Sequence, residues 1–239
     1  MTSRPTMRRI TGLALVAVFG VAGCTFHPGS AAVVNGTAIN QHEVDDLVAA
    51  ACDFTQAERL KNHSSPTPTT SIPSLKHLFT QNLISFAIVD KAARQLHLTV
   101  SQAAIAKVTS AQPIPAGLSD SAKSTLEEFF ADSALTQLQQ VVIGAHLKDS
   151  SVTSIGQVDE ADYSTLLSGA NPFVARFTRA QSVQVNPAYG SWNGRAVSAT
   201  DGSLSAPTSA VAATWLRLQS QGAGNSGQVT GLPPNQVCG

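Results

Sequence analysis

The sequence predicts a mainly α fold of five or six helices, with a short β segment near each end of the domain. Three observations predict it. Apolar residues recur at i, i+3, i+4 and i+7 in several windows, the stripe that a helix buries on one face. Ser, Asn or Asp stands ahead of those windows, where a helix needs a cap. Residues 181–186 (QSVQVN) alternate polar and apolar, the mark of a strand with one face buried.

The elements follow in order. Asn35-Gly36 lies between the apolar β-formers Ala32-Val33-Val34 and Thr37-Ala38-Ile39 and predicts a tight turn, because both residues accept positive φ. Asn40 is the next cap, with Glu43 three residues on completing a capping-box pattern. Val44, Leu47, Val48 and Ala51 then form one apolar helix face that fades near Leu60. Residues 62–73 (NHSSPTPTTSIP) predict an exposed loop. Ser74 is read as the cap of a longer helix reaching about His97. Its stripe of Leu75, Leu78, Phe79, Leu83, Phe86 and Ala87 is widened by Ile84 and Ile88, which suits a helix packed between others.

Ser101 caps a short helix with Ile105 and Val108, and Pro113 and Pro115 break the chain after it. Ser119-Asp120 opens a helical region to about Lys148. Asp159 is read as the cap of a last short helix through Leu167, with Gly169 as its stop. Residues 194–239 are rich in Ser, Gly and Ala and predict a loosely structured tail.

The first residues carry their own signal. A basic start with Arg4, Arg8 and Arg9, an apolar run over residues 10–21, and Ala22-Gly23-Cys24 make a secretory signal over residues 1–23. The run is shorter than the ~20 residues of a spanning helix. Residues 21–24 (VAGC) resemble the lipobox of bacterial lipoproteins, which implies cleavage before Cys24 and diacylglyceryl transfer to its thiol. Two acyl chains on one residue give stable anchoring. The expected mature protein is therefore a lipid-anchored lipoprotein on the extracytoplasmic face of the cell membrane, with residues 24–31 as a tether.

Loss of Arg4, Arg8 and Arg9 leaves 12 of the 15 basic residues against 15 acidic ones. That slight acidity provides no basic footprint for nucleic acid and no basic stripe for a membrane surface. Of the three cysteines, Cys24 is assigned to lipid, and Cys52 and Cys238 remain. In an oxidising compartment the pair forms a disulfide from the first helix to the C-terminus, or stays as two free thiols.

No catalytic pattern stands out. His27, His42, His63, His77, His97 and His146 show neither HExxH nor paired ligand spacing, so no metal and no cofactor are expected. There is no GxSxG, GxGxxG or P-loop. Asp45-Asp46, Glu127-Glu128 and the group Asp159, Glu160 and Asp162 read as solvated helix faces and helix starts.

Residues 32–39 (AVVNGTAI) before a capped helix, and residues 95–101 (QLHLTVS) after a long one, resemble the N-terminal domain of SurA- and PrsA-type foldases and trigger-factor-like chaperones. Residues 183–192 (VQVNPAYGSW) are similar to the closing segment of actinobacterial lipoproteins of this type. The resemblance covers residues 32–193. It implies that the returning strand pairs with the first, so that a small two-stranded β element joins the N- and C-terminal segments of a helical chaperone-like domain. It also implies extracytoplasmic handling of unfolded secreted or envelope proteins, with an optional prolyl-isomerising parvulin domain whose marks are not visible after residue 150. An enzyme is not expected. A client groove lined by Phe79, Phe86, Phe129 and Phe130 is the physical basis of the chaperone reading, and a packed core is the alternative reading of the same four. A scaffold lipoprotein docking on an envelope partner is the alternative function, and a residual peptidyl-prolyl isomerase the third.

Overall fold

The computed structural model describes residues 28–61, 70–198 and 236–238. Cys24, the signal, most of the 62–73 loop and residues 199–235 of the tail lie outside them. Among the described residues, five α-helices and a few short antiparallel strands make a mainly α fold.

The chain starts with a hairpin of β1 (Ser30–Val34) and β2 (Thr37–Asn40), paired in antiparallel register with Val34 opposite Thr37. Asn35 and Gly36 take φ of 52° and 85°, the positive values the turn between these strands needs. β1 is also paired to β4 (Val183–Val185), with Val33 opposite Gln184. The result is a three-stranded sheet of order β2-β1-β4. The expected pairing of first and returning strands is present, extended by the hairpin partner. Two-residue ladders are also present among the described residues: β3 (Thr70–Ser71) with β7 (Val237–Cys238), and β5 (Ser191–Trp192) with β6 (Val197–Ser198).

The helices are α1 (Gln41–Lys61), α2 (Ile72–Gln95), α3 (Gln102–Thr109), α4 (Asp120–Lys148) and α5 (Tyr163–Arg179). Ser101 and Ser119 cap α3 and α4, their hydroxyls accepting from the N–H of Ala104 at 3.3 Å and of Ala122 at 3.2 Å. The cap of α2 is Ser71 rather than Ser74: Ser71 Oγ accepts from the N–H of Ser74. Pro73 then sits in the first turn, where its missing N–H removes no helical hydrogen bond.

α4 is the hub, with the other four helices packed against it. Its second half buries Val141, Val142, Ile143, Gly144 and Ala145 in succession, as a helix surrounded on all sides does. Those residues share a core with Val89, Ala93, Leu98, Ile105, Leu166 and Ala170. A second core joins the sheet (Ala31, Ala32, Val34) to Val44, Leu47, Phe79, Ile84, Ile88 and Tyr189.

The last helix departs from the sequence reading. Asp159 caps only a 3-10 turn at Glu160–Asp162, and α5 continues through Gly169 and the internal Pro172 to Arg179. The reason is burial. Leu166, Ala170, Phe173, Val174 and Phe177 pack into the α4 core, and burying such side chains contributes more than the ~1 kcal/mol that a helical glycine costs. Leu78 also departs from its stripe: it is exposed, as are Leu60 and Leu147. Among the described residues no helix is long and apolar enough to cross a membrane.

Candidate functional site

The first turn of α1 is capped by Asn40, as the sequence predicts. Asn40 Oδ1 accepts from the N–H of His42 at 2.9 Å, and the Glu43 carboxylate accepts from the N–H of Asn40. That fixes Glu43, and helical spacing puts Asp46 and Leu47 on the same side, three and four residues on. α4 presents Thr125, Glu128, Phe129 and Asp132 at the same spacing. The two faces meet around a cleft of about 300 Å³, with Leu83 of α2 reaching its wall.

Its floor is apolar and held in place. The Phe129 ring meets Phe79 edge-on at 5.2 Å and Phe86 at 5.6 Å, with Phe130 at 6.1 Å. Such edge-on and tilted contacts fix ring orientation. The structure thus brings all four sequence-selected phenylalanines together, but it separates their surroundings. Phe79 is buried in the core, Phe86 packs half-buried against it, and Phe129 lines the cleft. Phe130 lines a different groove of about 440 Å³ between α3 and α4, with Thr109, Ile114, Lys123 and Glu127.

The rim of the α1–α4 cleft carries Glu43, Asp46, Glu128 and Asp132. The ion pairs seen among the described residues involve other carboxylates: Asp45, Glu58, Asp90, Glu127 and Glu160. The concave wall pushes the Glu43 carboxyl above its ordinary range, the Asn40 N–H pulls it back, and Asp132 and Glu128 push it further. Asp132 is raised by the same loss of hydration and by the negative charges of Glu128 and Asp90. Both residues stay solvent-exposed, so these shifts are modest in energy. Sequence reasoning had put Asp46 and Glu128 on solvated helix faces. Their convergence comes from the packing of α1 on α4, which no local spacing encodes.

The other sequence-selected residues lie elsewhere. Cys52 of α1 and Cys238 of β7 are joined by a disulfide with Cα atoms 5.0 Å apart across 186 residues. Among the described residues no group of His, Cys, Asp and Glu is arranged to hold a metal ion.

The helical domain thus has a hairpin at its entry, a returning strand at its close and an open cleft beside α4, lined in part by Leu47, Leu83 and Phe129. A family model described as the SurA-like N-terminal domain matches residues 6–136, and the chain belongs to that family. The match runs through the hairpin, α1, α2, α3 and the first half of α4, and so includes every residue of the cleft. Neither the curated proteins nor the solved structures searched contain a match to the chain.

Proposed function

We propose that the protein is a membrane-anchored extracytoplasmic lipoprotein that binds unfolded secreted or envelope proteins without chemistry of its own. The observation that carries the reading is the open cleft, floored by Phe129 and Leu47, within a SurA-like N-terminal domain. The family is chaperone-like, and the domain that isomerises prolyl bonds in some foldases is a separate one. The Phe129 ring is held by Phe79 and Phe86, so little ordering is left to be done when a client side chain arrives.

The anchoring half of the proposal rests on the lipobox-like residues 21–24 and the basic, apolar start before them. From Cys24 to Ser30 the chain spans at most about 20 Å, so lipid on Cys24 would hold the helical domain against the membrane surface. The test has two arms. Mass spectrometry of the membrane fraction is expected to find a diacylglyceryl group on Cys24, and an unmodified thiol overturns the anchor. Light scattering from an aggregating unfolded protein is expected to fall when the mature protein is added, and unchanged scattering overturns client binding. A proline-limited refolding assay is expected to show no acceleration.

A further inference from the structure

Two features of the α1–α4 cleft suit an occupant. Phe129 is held by its aromatic neighbours yet left partly uncovered at the cleft floor. The rim gathers Glu43, Asp46, Glu128 and Asp132 on two facing helices, while the salt bridges among the described residues fall to other carboxylates: Asp45, Glu58, Asp90, Glu127 and Glu160. Glu128 and Asp132 are one turn apart, a like-charge spacing that weakens a helix. A negative rim around an apolar floor, with the ion pairs seen among the described residues made by other carboxylates, complements an occupant that brings both an apolar side chain and positive charge.

We propose that the cleft takes a short extended segment of a cationic client chain, with one apolar side chain on Phe129 and flanking lysines or arginines against the four carboxylates. This rests on the chaperone-like reading and names its client class. The size fits: about 300 Å³ is at the small end of binding pockets, enough for a short segment. The larger groove under Phe130 lacks the charge argument, because Lys123 lies 3.8 Å from Glu127 and offsets it.

The test uses the full mature chain and a fluorescent peptide with a central Phe between lysines, read by anisotropy. The control peptide carries glutamates in place of the lysines. The lysine peptide is expected to bind and the glutamate peptide not to. Binding should weaken as salt rises, since exposed charge pairs are screened. The double variant Glu43→Gln, Asp132→Asn should weaken it about fivefold, the effect of two partly exposed ion pairs. Glu127→Gln, on the other groove, should leave it unchanged. Equal binding of the two peptides, or a double variant that binds like the parent, overturns the proposal. Circular dichroism checks that the double variant is folded, and if it is not, the comparison of the two peptides on the parent protein decides. Aggregation suppression is measured on the same samples. Suppression by a parent protein that does not distinguish the peptides removes the cationic class and keeps the chaperone-like function. Charge-selective peptide binding without suppression keeps the cleft and removes that function.

Discussion

The hydroxyl of Tyr189 donates to Asp45 Oδ1 at 3.3 Å, joining the segment after the returning strand to the first helix across 144 residues. Lys76 completes the junction, with Nζ 2.8 Å from the same carboxylate oxygen and 5.2 Å above the Tyr189 ring. Three elements distant in sequence are thereby fixed beside one another. Tyr189 is 4% exposed, so its ring is covered, whereas Lys76 and Asp45 remain partly solvated and their pair contributes little.

Tyr189→Phe is expected to lower stability by about 1 kcal/mol, or ~3 °C in a thermal melt. The pH dependence separates this from simple repacking. Burial first, then the charge and hydrogen bond of Asp45, push the Tyr189 hydroxyl from 10.0 up to about 12. Between those two values the unfolded chain loses the proton while the folded one keeps it, so stability falls as pH rises. The parent should lose stability across that alkaline window, and Tyr189→Phe should lack that part of the loss.

The Cys52–Cys238 bridge ties α1 to the end of the chain and sets β7 beside β3. A loop of this length, closed in the unfolded state, is worth roughly 5 kcal/mol in the chain-entropy model. Cys52→Ser with Cys238→Ser should therefore lower the denaturant midpoint clearly, up to that limit. Peptide mapping without reductant should recover the two cysteines in one linked fragment. Recovery of two separate thiols contradicts the bridge.

At Gly144 the backbone of α5 passes close to α4. A methyl group placed there would meet the Leu166 carbonyl oxygen at 2.0 Å. The obstacle is backbone and cannot rotate aside, so Gly144→Ala forces the helices apart. A loss of about 3 kcal/mol, the upper end for overpacking, is expected in chemical denaturation. Gly169, in α5 itself, has open space around it, and Gly169→Ala should raise stability by up to ~1 kcal/mol.

The acidic rim gives a prediction of opposite sign to the usual carboxylate. Asp132 is raised above its ordinary value by loss of hydration first and by Glu128 and Asp90 next. A carboxyl raised in the folded state favours folding less as it ionises, so its contribution worsens as pH rises through the folded value. At neutral pH Asp132→Asn should leave stability unchanged or raise it by about 0.3 kcal/mol. The difference should shrink as pH falls, because protonation of the parent residue removes the charge that Asn lacks. A substantial loss at neutral pH would mean that the charge serves the fold.

Much of the fold is legible in the sequence because its signals are local. Asn35-Gly36 specifies its turn, Ser101 and Ser119 their helix starts, and residues 183–185 their strand by alternation. The misreadings arise where a distant contact outweighs a local rule. Gly169 reads as a stop until Phe173 and Phe177 are seen to bury against α4. Nothing local marks Gly144 as a crossing point, and only its distance to Leu166 reveals one. The cleft is the same case on the functional side. Leu47 beside Asp46, and Phe129 beside Glu128, were visible one by one, but their meeting depends on how two helices pack.

The most direct measurement of the central claim is site-specific photo-crosslinking of the mature protein to an unfolded client. A photoreactive side chain replaces either Asp46, on the cleft rim, or Ser168, exposed on α5. Binding through the α1–α4 cleft predicts client adducts from position 46 and none above background from position 168. Equal adducts from both positions, or adducts from position 168 alone, contradict it.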